Sequence, residues 1–186
     1  MIRQLPFAVC LTLALSLPVV AQQSNPPDKP LDVKSSIGDL HLGKDADAHA
    51  AGLPAYPGAR SRHEENNDPL NFALLTENLG LKLVVAKYES DDAPAKVIAF
   101  YRDKLKKYGK VLECHSENHG SLELHDTKDS SDNKELKCDE NSGPVVELKA
   151  GAEDNQHVVA IEPGEGGKGS TFTIVYVYKH GKKGDL

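Results

Sequence analysis

The clearest periodicity in the chain is helical. Between Asp91 and Gly109 the apolar residues Val97, Ile98, Tyr101, Leu105 and Tyr108 recur at steps of one, three and four, while Lys96, Arg102, Asp103, Lys106 and Lys107 fall mostly on the opposite side. That spacing predicts one amphipathic helix. Pro94 suits its first turn, where a missing N–H costs nothing, and Asp91 or Asp92 is placed to accept hydrogen bonds from the free amides there. Gly109 supplies the stop. Acids lead and lysines trail, in keeping with the helix dipole.

The pattern elsewhere has a period of two. Phe72 to Glu77 and Leu81 to Tyr88 both read as strands, joined through Asn78-Leu79-Gly80 as a hairpin. Lys110 to Cys114 and Glu135 to Cys138 are shorter candidates that flank a polar excursion from His115 to Lys134. Val145 to Lys149, Gln156 to Glu162 and Ser170 to Lys179 follow. In the last of these Phe172, Ile174, Tyr176 and Tyr178 alternate with Thr171, Thr173, Val175 and Val177, so β-branched or aromatic residues fill nearly every place. It is expected at the centre of the sheet. Short, turn-rich connections favour antiparallel pairing. The expected fold class is therefore α+β, with one amphipathic helix packed on a mainly antiparallel sheet in two layers.

Outside this domain the chain is polar. Residues 22–50 are rich in Pro, Ser and Asp, with Leu31, Val33, Ile37, Leu40 and Leu42 as the sizeable apolar positions, and read as a flexible leader with at most a short docked piece. The domain proper spans 51–179, entered through the rigid turn Gly52-Leu53-Pro54-Ala55-Tyr56-Pro57-Gly58-Ala59, and 180–186 form a polar tail.

Composition changes this picture at the N-terminus. Arg3 precedes an apolar run from Leu5 to Val20 of about 16 residues, shorter than the about 20 that span a bilayer, and Val19-Val20-Ala21 suits signal peptidase. Residues 1–21 are thus expected to be a signal peptide, with a periplasmic or secreted product that does not span a membrane. Removing Arg3 from the 22 basic residues leaves 21 against 28 acids, a net charge near −7 that argues against nucleic acid. The densest basic group, Arg102, Lys104, Lys106 and Lys107, belongs to a solvated helix face. With Cys10 removed, Cys114 and Cys138 remain, and a pair in an oxidising compartment is most simply one disulfide.

Candidate chemistry is sparse. His115, His119 and His125 lie between the two cysteines and are ligand types that zinc or copper prefers, but structural zinc sites use tighter ligand pairs. No metal, cofactor or catalytic residue is assigned. Asp45, Asp47 and His49 alternate in a solvated acidic turn, and His63 with Glu64 and Glu65 forms a charged patch. Gly164 to Gly169 matches G-x-G-x-x-G, yet a strand follows it where a dinucleotide site needs a helix, so an exposed hairpin loop is expected. Signatures of hydrolases such as G-x-S-x-G and H-E-x-x-H are missing from the sequence.

The turn Leu53-Pro54-Ala55-Tyr56-Pro57-Gly58-Ala59 followed by the helix Ala99-Phe100-Tyr101-Arg102-Asp103-Lys104-Leu105 resembles a group of small exported bacterial proteins of unassigned function, which pair a YPGA-type turn with an FYRxxL-type helix. The resemblance covers roughly Leu53 to Tyr178. It implies a bacterial envelope location and supplies no activity or site residues. The expected function is an exported, non-enzymatic module acting through its surface or as a small-molecule binder. The rival readings are a periplasmic metal-binding protein using segment 114–138 and an uncharacterised hydrolase.

Overall fold

The computed structural model describes residues 29–62, 69–117, 135–138 and 141–181. They form an antiparallel sheet with one helix packed on it, the α+β two-layer arrangement expected. The strands are β1 (Leu31–Ser35), β2 (Gly38–Gly43), β3 (Arg60–Ser61), β4 (Leu70–Leu75), β5 (Leu79–Ser90), β6 (Leu112–Ser116), β7 (Val145–Ala152), β8 (Asn155–Pro163) and β9 (Ser170–Gly181). The helix α1 covers Pro94–Leu105 and continues as a 3₁₀ turn over Lys106–Tyr108. The spatial order is β1-β2-β4-β5-β9-β8-β7-β6, with β3 on the far end of β5. Strand β9, richest in β-branched and aromatic residues, is central as expected, because it is packed on both faces.

One face of β5, β9, β8 and β7 forms the core. Val84, Ala86 and Tyr88 of β5, Phe172 and Ile174 of β9, Val159 and Ile161 of β8, and Leu148 and Ala150 of β7 meet Val97, Tyr101 and Leu105 of α1. The three helix residues sit at i, i+4 and i+8, one stripe of the helix surface, which is why the helical spacing was legible. Tyr56 from the entering turn completes an aromatic cluster, its ring centroid 5.1 Å from Phe100, 6.4 Å from Tyr101 and 6.2 Å from Phe172.

Several boundaries differ from the sequence expectation. The leader assigned to 22–50 contributes two strands from Leu31 onward, and its Ala46 and Ala48 join Ala51 in the core. Small alanines give no strong hydrophobic signal, yet they allow this turn to approach the sheet closely. The tail begins later than expected, since β9 runs through Gly181. The β4–β5 turn is Thr76-Glu77-Asn78, closed by the Thr76 hydroxyl accepting from Leu79 N–H at 2.9 Å. Residues 135–138 carry no strand.

The helix start also needs correction. Neither Asp91 nor Asp92 caps it; Ala93 occupies that position without a side-chain bond, and Pro94 follows. Other side chains, most of them from elsewhere in the chain, hold the two carboxylates instead. Asp91 accepts from the Arg60 guanidinium at 2.9 Å, and Asp92 accepts from Lys96 at 2.6 Å and from the Tyr56 hydroxyl at 2.9 Å. Arg60 holds the Asp91 carboxyl below its ordinary pKa, and Lys96, then Tyr56, does the same for Asp92.

Candidate functional site

Residues directly opposite in antiparallel strands point to the same side, so the register shows what the face away from α1 carries. One cross-strand row on that face runs Leu31, Leu42, Phe72, Leu83, Val177, and is apolar over five strands. The next row runs Val33, Leu40, Leu74, Leu81 before it ends at Lys179. An antiparallel sheet with one face packed on a core usually turns a polar face to water. Here the second face is apolar as well.

Its burial is graded. At the centre Val158, Val175 and Val177 are buried and cluster with Leu83 and Val85. Toward the β1 edge Leu31, Val33 and Leu42 are about half exposed, and Ile37 in the β1–β2 turn is 81% exposed. All five residues of β1 are exposed, and β1 pairs with β2 alone among the described strands. At the opposite end the face becomes polar, where buried Glu147 accepts from Ser116 at 3.1 Å and pairs with Lys149 at 3.3 Å. The outer edge of β6 there is crossed by a bridge from His115 to Asn141, and Cys114 meets Cys138 in disulfide geometry with Cα atoms 5.5 Å apart.

The other side of the β1–β2 hairpin is charged. Asp32 and Lys34 alternate with Leu31 and Val33, as Asp39 and His41 do with Leu40 and Leu42. His41 joins Asp32 at 2.8 Å through Nδ1 and Asp45 at 3.2 Å through Nε2. Asp32 chiefly, with Asp45 assisting against partial burial, raises the His41 pKa. This alternation over residues 31–34 and again over 39–42 was the sequence signal for the hairpin. The surrounding Pro, Ser and Asp masked it.

A second feature lies where the chain enters the core. The carbonyls of Ala50, Ala51 and Gly52 are gripped by side chains from three elements: Lys82 donates to Ala50 at 3.4 Å, His157 Nδ1–H to Ala51 at 2.9 Å, and both Lys107 and Tyr108 to Gly52. The His157 ring is stacked between Tyr108 and Tyr176, at centroid distances of 3.5 and 4.6 Å. Burial pushes its pKa down to about 4, against the raising effect of the Ala51 carbonyl and with a further lowering by Lys107. Next to this clamp lies a shallow concavity of about 430 Å³ lined by His49, Gly52, Leu53, Pro54, Lys104 and Lys107. Lys107 is already turned onto the Gly52 carbonyl at 2.7 Å, so the concavity is part of the clamp's surface.

The residues singled out by sequence are not assembled into one site. Cys114 and Cys138 are joined to each other, which takes both sulfurs out of the ligand set proposed for 114–138. His115 lies on β6 on the helix side, and His119 and His125 lie outside the described residues, as do His63, Glu64 and Glu65. Among the described residues no three His, Cys, Asp or Glu side chains are grouped to hold a metal ion. Asp47 accepts from Ala50 N–H at 2.7 Å, closing its own turn, while Asp45 is engaged by His41. Three of the four helix bases meet carboxylates, Arg102 on Glu113 and Lys104 and Lys106 on Asp103. Gly164 to Gly169 forms the β8–β9 turn.

Comparison with protein-family models, with curated proteins and with solved structures finds no match for this chain.

Proposed function

We propose that the protein is an exported, non-enzymatic module of the bacterial envelope, periplasmic or secreted, that binds a protein partner at the open β1 end of its sheet. The observation that carries this reading is the apolar row from Val177 to Leu31, which passes from the buried centre of the face to an edge strand exposed along its whole length. An edge strand offers unpaired N–H and C=O groups, and the neighbouring apolar side chains add area, the combination used in strand addition. A small-molecule site between the layers is less favoured, because Tyr56, Phe100, Tyr101 and Phe172 fill the space under the helix. Export is supported by the leader-like residues 1–21 and by a cysteine pair in the geometry that an oxidising compartment preserves. No helix among the described residues is long and apolar enough to cross a membrane.

The test is photo-crosslinking in cells that export the protein, with a photoreactive residue at Val33 or, as control, at exposed Lys110 just before the opposite edge strand β6. A discrete adduct at Val33 and none at Lys110 is the expected result. No adduct at Val33, or equal labelling at both positions, overturns the reading.

A further inference from the structure

The binding edge is self-complementary, and we infer that its occupant is a second copy of this chain, with the two β1 strands paired antiparallel about Val33. This rests on the reading of the β1 end as a binding surface. The hairpin fixes which groups are free. Ser35 and Gly38 close a two-residue turn and pair directly; hydrogen-bonded pairs then alternate along an antiparallel ladder, so Ser35, Val33 and Leu31 turn their backbone groups toward β2. The N–H and C=O of Asp32 and Lys34 therefore point away from the sheet.

A two-fold axis at Val33 puts Asp32 opposite Lys34 of the other copy, and Lys34 opposite its Asp32. These are the positions whose backbone groups are free, so both pairs gain main-chain hydrogen bonds as well as opposite charges. Val33 meets its own counterpart at a pair without hydrogen bonds, where side chains approach most closely. A shift by one residue would join the apolar face of one copy to the charged face of the other. A shift that moves the axis to Asp32 or Lys34 would oppose like charges. Only the axis at Val33 continues the apolar row through Val33 into the second copy and also matches charge, with Leu31 facing Ser35 of the other copy. Lys34 lies across from Asp39 of its own hairpin, Asp32 also meets His41 at 2.8 Å, and β1 is exposed throughout. The other edge is unsuited to the same pairing, since β6 is crossed by Asn141 and tied to Cys138.

The experiment is light scattering on the processed, unreduced protein over a concentration series, with circular dichroism confirming that each variant keeps its sheet. The parent chain is expected to be a dimer. Lys34→Asp opposes two carboxylates at each pair and should weaken dimerisation by roughly tenfold or more. The double variant Asp32→Lys with Lys34→Asp restores opposite charges in the same register and should recover the dimer. Loss in the single variant with recovery in the double one supports the pairing. Failure of the double variant to recover overturns it, as does a dimer that neither variant disturbs. A parent chain that stays monomeric while Val33 still crosslinks to a product of different mass overturns self-pairing and leaves the binding edge standing. A monomer with no Val33 adduct removes both.

Discussion

His157 shows how much a single side chain can be committed by its surroundings. Its ring is nearly buried between Tyr108 and Tyr176, its Nδ1–H is spent on the Ala51 carbonyl, and Lys107 is the nearby cation that disfavours a second proton. The folded pKa of about 4 lies below the ordinary 6.5, so the unfolded chain takes up the proton first on acidification. Above pH 6.5 its titration no longer changes stability. Between pH 6.5 and 4 stability should fall, by about 3 kcal/mol in all at 1.36 kcal/mol per pH unit of pKa difference. His41 acts in the opposite sense: its raised pKa contributes stability below 6.5 that is lost as pH rises through the folded value. Urea unfolding at a series of pH values separates the two, since His157→Gln should flatten the slope between pH 6.5 and 4. An unchanged slope in that variant would mean that the imidazole is not held neutral.

At the scale of elements, α1 and the β1–β2 hairpin make a useful contrast, because both are amphipathic and only one has its apolar side covered. Leu105 is fully buried on the helix stripe, whereas Ile37 at the hairpin tip is open to solvent. Leu105→Ala should cost about 2–5 kcal/mol, counting the lost transfer energy and the cavity left behind. Ile37→Ala should stay within about 0.5 kcal/mol in the isolated chain. Comparable losses from the two in urea unfolding of monomeric protein would show that the hairpin tip is packed. The entering turn at Ala46 to Leu53 is a third kind of element, held by side chains reaching in from β5, β8 and the end of the helix.

For the whole molecule the governing feature is a sheet that packs one face against a helix and leaves the other apolar from its centre to one edge. Cys114 and Cys138, 24 positions apart, tie the opposite end. In the loop-entropy account a closure of that length stabilises by about 3 to 4 kcal/mol, mainly by restricting the unfolded chain. Reduction, or the double replacement Cys114→Ser with Cys138→Ser, should lower the unfolding free energy by about that amount while circular dichroism still reports a sheet. A loss of under about 1 kcal/mol would place the bond in a segment the fold does not need. Because the bond sits at the β6 end, the same change should leave crosslinking at Val33 intact.

By itself the sequence determined the elements whose information is local. A stripe of Val97, Tyr101 and Leu105, and the β-branched run of β9, carry their conformation in neighbouring residues, so the helix, most strands, the two-layer class and the cysteine pairing were legible. The helix cap was not. Asp91 and Asp92 are well placed to cap by local rules, but Arg60 and Tyr56 from other parts of the chain, and Lys96 from the helix itself, compete for them. The same holds for the candidate site. Leu31 and Val33 reveal a surface only when register aligns them with Leu42, Phe72, Leu83 and Val177. Cross-strand adjacency joins residues far apart in sequence, and which face a helix covers depends on packing, so only the tertiary structure decided where this chain is left open.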